Sequence, residues 1–160
     1  MAYKNKTYVC FDADNDMHYY NLMRAWKEND KIAFNFYNAH DKNVVNEYDS
    51  ESTIKKKLSE RLDNSKIMLV LIGDKTKNLY KYVRWEIDFA IKNDIPIIAV
   101  NLNKKNGHDS ELCPPLLRNE LVVHIPYTQK AINLALNNWP SEYAKLKLKG
   151  NKESRFYEGL

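Results

Sequence analysis

The sequence predicts an α/β domain in which five parallel strands carry helices on both faces. Three observations support this: short apolar runs recur along the chain, amphipathic helical patterns separate them, and 160 residues suffice to cover both faces of such a sheet. The clearest run, Ile67-Met68-Leu69-Val70-Leu71-Ile72, has the unbroken apolar character of a strand buried on both sides.

In chain order, Tyr8-Val9-Cys10-Phe11 reads as the first strand, and the polar run Asp12 to Asp16 can cap the helix that follows. Tyr19, Leu22, Met23 and Trp26 recur there at helical spacing and form a stripe facing the sheet. Aromatic and branched residues over Ile32 to Tyr37 suit a second strand, and Asn38 to Asp49 is a polar loop long enough to bear binding groups. Ser50 to Thr53 supply caps for a helix whose inward residues are Ile54, Leu58 and Leu62. After the third strand, Tyr80 to Lys92 reads as a helix and Asp94 to Val100 as a fourth strand, with Pro96 near its start, where a missing N–H costs least. Leu121 to Ile125 and Gln129 to Asn138 complete the pattern as a last strand and helix. Pro140 interrupts the helical pattern, so residues 141–160 are expected as a basic tail or short helix after a domain over 1–140.

Composition narrows the function. Apolar residues make up 44% and charged residues 29%, which excludes a disordered chain. A net charge of +4, from 25 basic and 21 acidic side chains, requires no nucleic-acid partner. No apolar stretch approaches the roughly 20 residues that span a bilayer, and the first residues lack secretory-signal character. A cytoplasmic location without membrane association is therefore expected, with Cys10 and Cys113 as reduced thiols.

Ligands of parallel sheets gather at the carboxyl ends of the strands. Glu86 belongs to the helix after the third strand, so it is a candidate catalyst able to bond a sugar hydroxyl and stabilise a developing oxocarbenium charge. The plainer reading is an acid placed favourably in the first turns of a helix. Gly73, directly after that strand, can admit a ligand, and Asp74, Lys75 and Thr76 can supply polar contacts; an ordinary strand-to-helix turn has the same composition. Asp12, Asp14 and Asp16 can bind ribose or simply cap and solvate their loop. Trp85, like Tyr37 and Trp139, can stack on a flat ring or fill a helix–sheet seam. Trp85 and Glu86 point about 100° apart, which gives the tryptophan a supporting role.

Several chemistries lose ground. Neither a Walker A motif nor Gly-x-Gly-x-x-Gly follows a strand, and no serine lies in Gly-x-Ser-x-Gly. A receiver domain would need a phosphorylatable Asp at the third-strand end and a Lys after the fifth, and neither is in place. His18, His40, His108 and His124 lack metal-ligand spacing, and the first loop lacks the small polar residues of a flavin phosphate cradle.

The blocks Val70-Leu71-Ile72-Gly73-Asp74-Lys75-Thr76 and Tyr82-Val83-Arg84-Trp85-Glu86-Ile87, continuing through Ala90 and Asp94 to Val100, resemble the TIR-like family that includes the Thoeris antiphage ThsB proteins. The likeness extends more loosely over roughly residues 7 to 138. It implies a flavodoxin-like three-layer sandwich with strand order 2-1-3-4-5 and action on NAD as substrate, with no tightly bound cofactor. It also implies that Glu86 is the catalytic glutamate, that Phe11, Asp12, Asp14, Gly73, Lys75 and Thr76 contact substrate, and that Trp85 supports the pocket. Cleavage of the nicotinamide–ribose bond would make a cyclic or modified ADP-ribose signal for a partner effector, and the chain could self-associate. Where many TIR proteins carry a small polar residue after the first strand, this chain has Asp12-Ala13-Asp14. The alternative is a non-enzymatic interaction module using the Asn38 to Asp49 loop and exposed helix faces.

Overall fold

A computed structural model describes residues 6–29, 36–38 and 50–160, with the backbone alone for 36–38. The elements are β1 (Thr7–Cys10), α1 (Ala13–Glu28), β2 (Phe36–Asn38), α2 (Glu51–Asp63), β3 (Ile67–Ile72), α3 (Val83–Lys92), β4 (Ile97–Asn101), β5 (Val122–Pro126) and α4 (Gln129–Leu148). Every pairing between strands is parallel, in the order β2-β1-β3-β4-β5.

Alternation along each strand divides the core in two. Val9, Leu69, Leu71, Ile98, Val100, Val123 and Ile125 face α1 and α4 and meet Tyr20, Met23, Ile132, Leu136 and Trp139. Tyr8, Cys10, Met68, Val70, Ile72, Ile97, Ala99 and Val122 face α2 and α3 and meet Ile54, Leu58, Leu62, Val83, Ile87 and Ala90. The result is a flavodoxin-like three-layer arrangement.

The expectation of a five-stranded parallel sheet in the order 2-1-3-4-5 is corrected at β2. Four strands, β1, β3, β4 and β5, make the buried body of the sheet, whereas β2, described over three residues, is an edge that among the described residues pairs only with β1. Its described part, Phe36–Asn38, includes Phe36 and Tyr37 of the expected Ile32 to Tyr37 and adds Asn38. The positions expected to begin it, 32–35, and the rest of the expected binding loop, 39–49, lie outside the described residues.

Other boundaries moved for local reasons. α3 begins at Val83 instead of Tyr80 because Thr76–Asn78 form a separate 3-10 turn, and the bonds leading into the helix run from Arg84 N to Leu79 O and from Glu86 N to Tyr82 O. β4 begins at Ile97, since Asp94, at φ 56°, still belongs to the end of α3 and Ile95 N bonds back to Ala90 O. α2 starts as its sequence indicates, with the Ser50 side chain accepting from Thr53 N at 3.2 Å.

α4 runs through Pro140 to Leu148 rather than ending at Asn138. Proline removes one N–H, but the apolar stripe Ile132, Leu136, Trp139, Tyr143, Leu146 continues across it against the core, and that burial outweighs the lost bond. Trp139 is fully buried within this stripe. Trp139→Ala is expected to cost about 3–5 kcal/mol, measured as a lower denaturant midpoint at unchanged slope. Beyond α4, Arg155 forms a parallel bridge to β5, donating its N–H to Val122 O and accepting from His124 N, each at 2.8 Å. Among the described residues, no helix is long and apolar enough to cross a membrane.

Candidate functional site

The carboxyl ends of β1 and β3 lie side by side because Cys10 pairs with Val70. The residues that leave these strands, Phe11-Asp12 and Gly73, therefore share one end of the sheet. Phe11 is buried on the α1 side, its ring stacked on Tyr20 at 5.0 Å. Asp12 caps α1: one carboxylate oxygen accepts from Asp14 N at 3.1 Å and Asn15 N at 3.3 Å, and the other accepts from Asn15 Nδ2 at 2.6 Å. Asp14 lies in the first turn with its side chain exposed.

Gly73 is needed for close approach. A Cβ built there would collide with Asp16 Oδ2. Asp16 is itself buried, with that oxygen unpartnered. Burial first, then the charge of Asp12, raises its pKa. Gly73→Ala is expected to cost about 1–3 kcal/mol, with much of the loss recovered in an Asp16→Ala background. Equal losses in both backgrounds, in a double-mutant unfolding cycle, would show that the collision is not the cause.

The turn after Gly73 is closed by Thr76, whose buried hydroxyl accepts from Gly73 N at 2.9 Å and donates to Leu71 O at 3.3 Å. Thr76 thus sets the glycine backbone, whereas Lys75 beside it is exposed to solvent.

Glu86 lies across the sheet, on the α2 and α3 side. In the first turn of α3 it turns inward with Val83, Ile87 and Ala90 and is completely buried. Burial raises its pKa from 4.5 to about 7, opposed by the Tyr8 hydroxyl and the Cys10 thiol, which favour the charged carboxylate. Neither carboxylate oxygen completes a hydrogen bond of ordinary geometry, nor does the Tyr8 hydroxyl. A carboxyl group poised near neutrality in a dry setting is suited to stabilising positive charge. Trp85 turns away from it, toward Phe89 at 5.7 Å and under the Lys55 ammonium at 5.8 Å, and lines a cleft of about 340 Å³ with Tyr80, Lys81 and Asp88. Glu86 does not line that cleft, nor the grooves beside Tyr143 and Lys147 and beside Pro114 and Pro115.

The expected site residues thus fall into two groups. Phe11, Asp12 and Gly73 meet on the α1 side of the strand ends, while Glu86 lies beneath α3. Tyr8, Cys10 and the Asp16–Gly73 contact were not foreseen as parts of the site. The period-two alternation of β1 was the available signal for the first two, since it sends Tyr8 and Cys10 to one face.

A second buried polar group lies on β5. The His124 and His108 rings meet edge to face at 5.1 Å, and neither ring nitrogen of His124 has a partner. Burial, then the neighbouring His108, lowers the His124 pKa to about 4. Among the described residues, no three His, Cys, Asp or Glu side chains are grouped to hold a metal ion.

The parallel sheet and the carboxylate under the helix after β3 define a flavodoxin-like α/β domain of the TIR-like class. Residues 8–107 match the family model described as Thoeris protein ThsB, TIR-like domain, and the chain belongs to that family.

Proposed function

We propose that this protein is an NAD-consuming enzyme of antiphage defence that breaks the bond between nicotinamide and ribose. The observation that carries this reading is the buried Glu86 carboxylate, with a pKa near 7, on the first turn of α3 in a ThsB TIR-like chain. As the bond breaks, its electron pair leaves with nicotinamide, and positive charge develops over the anomeric carbon and ring oxygen of the ribose. Ionised Glu86 stabilises that charge and orients the sugar hydroxyls. Water capture gives ADP-ribose, whereas capture by a nucleophile of the substrate gives a cyclic product.

In this reading Phe11 and Gly73 shape the pocket, and Asp12 and Asp14 face the ribose. Lys75 offsets the charge of the phosphates, Thr76 acts by fixing the Gly73 amide, and Trp85 braces α3 against α2. The product serves as a signal to a partner effector. The reaction takes place in the cytoplasm, and self-association of the chain completes the pocket.

Purified protein incubated with NAD, alone and with phage-infected lysate, tests the proposal when nicotinamide and ADP-ribose products are resolved by mass. Release of nicotinamide that disappears in Glu86→Gln is expected. No product in any of these states would leave the chain as an interaction module.

A further inference from the structure

Tyr8 touches no substrate in the proposed reaction, yet it is the largest polar side chain buried next to Glu86. It is fully buried on β1, two residues before Cys10 and on the same sheet face. The Tyr8 hydroxyl and both Glu86 oxygens lack any completed partner, although burial makes an unpaired polar group costly. Each influences the ionisation of the other. Groups so placed are each other's available partner.

We propose that Tyr8 is a positioning residue for Glu86, its hydroxyl donating to the carboxylate to hold it ionised and aimed at the strand ends, with the Cys10 thiol as a weaker second donor. This rests on the NAD-cleavage reading only for its functional consequence; the side-chain pairing stands apart from it.

Among the described residues there are few competitors. From β1 the groups facing Glu86 are Tyr8 and Cys10, and the corresponding face of β3 offers only Met68, Val70 and Ile72. From α2 come the apolar Ile54, Leu58 and Leu62, together with Arg61, whose charge acts on Tyr8. A buried donor therefore sets how much of the carboxylate is charged at neutral pH. Were Tyr8 only a packing residue, its ring would suffice and Phe would replace it without electrostatic effect.

The test is the titration of the Glu86 carboxyl carbon, followed by NMR in protein labelled at glutamate carboxyls and assigned with Glu86→Gln. In Tyr8→Phe, which keeps the ring, the Glu86 midpoint is expected to rise by about one pH unit. Cys10→Ala is expected to move it upward by less. The acid limb of kcat/KM for NAD should shift upward in parallel, with activity recovering at higher pH. An unmoved Glu86 midpoint in both variants, with both folded by circular dichroism, would overturn the proposal whatever happens to NAD. A shifted midpoint in a protein that releases no nicotinamide would uphold the pairing and refute the NAD reading instead.

Discussion

Replacing Glu86 by Gln is expected to reduce NAD cleavage at least about 100-fold and, in the same protein, to raise stability at pH 8 by on the order of 2–3 kcal/mol. Both effects come from one cause, a charge held where water cannot reach it. The folded-state pKa lies at about 7, above the usual 4.5, because burial penalises the ionised form. A group raised in this way contributes stability that is fully present below pH 4.5 and is lost as pH rises through 7. Gln keeps the shape without ionising, so it escapes that loss and also loses the charge that would meet the ribose cation. The measurements are nicotinamide release and urea unfolding at pH 8. A variant that cleaves NAD as fast as the parent would end the catalytic assignment. One that is less stable at pH 8 would end the account of burial.

The second large effect appears on acidification and has the opposite sign. His124 is fully buried with a pKa lowered from 6.5 to about 4, so the unfolded chain takes up a proton that the folded one refuses. Its contribution is intact above pH 6.5 and is lost as pH falls toward 4. At about 1.4 kcal/mol per pH unit, Glu86 and His124 each account for on the order of 3 kcal/mol, in opposite directions over nearly the same window. The parent protein is therefore expected to show a nearly flat stability profile between pH 4.5 and 6.5. Glu86→Gln should lose stability steadily on acidification, while His124→Phe should gain it. Asp16, raised by burial, acts in the same direction as Glu86, and Asp109, held low chiefly by the Leu112 N–H, acts below this window. Urea unfolding at half-unit steps of pH measures all three slopes; parallel slopes in the two variants would show that these groups do not govern the profile.

The balance between these two residues was not legible in the chain. His124 reads as one residue of a strand and Glu86 as one of a helix, 38 positions apart. What was legible is the layered plan: the unbroken run Ile67 to Ile72 and the stripe Ile54, Leu58, Leu62 placed β3 and the inward face of α2 because burial demands fixed periodicities. Pro140 misled because local propensity speaks against a helix, whereas Trp139, Tyr143 and Leu146 gain more by remaining on it.

By itself the sequence determined the alternating α/β layers, the buried third strand and the location of Glu86 on the helix that follows it. All of these depend on the order of apolar and polar side chains along a few turns or strands. Only the tertiary structure decided that Glu86 is sealed against Tyr8 and Cys10, that Gly73 makes room for Asp16, and that Thr76 serves the turn. Those outcomes depend on how completely distant segments exclude water from one another, and desolvation is a property of the packed layers rather than of any local stretch of chain.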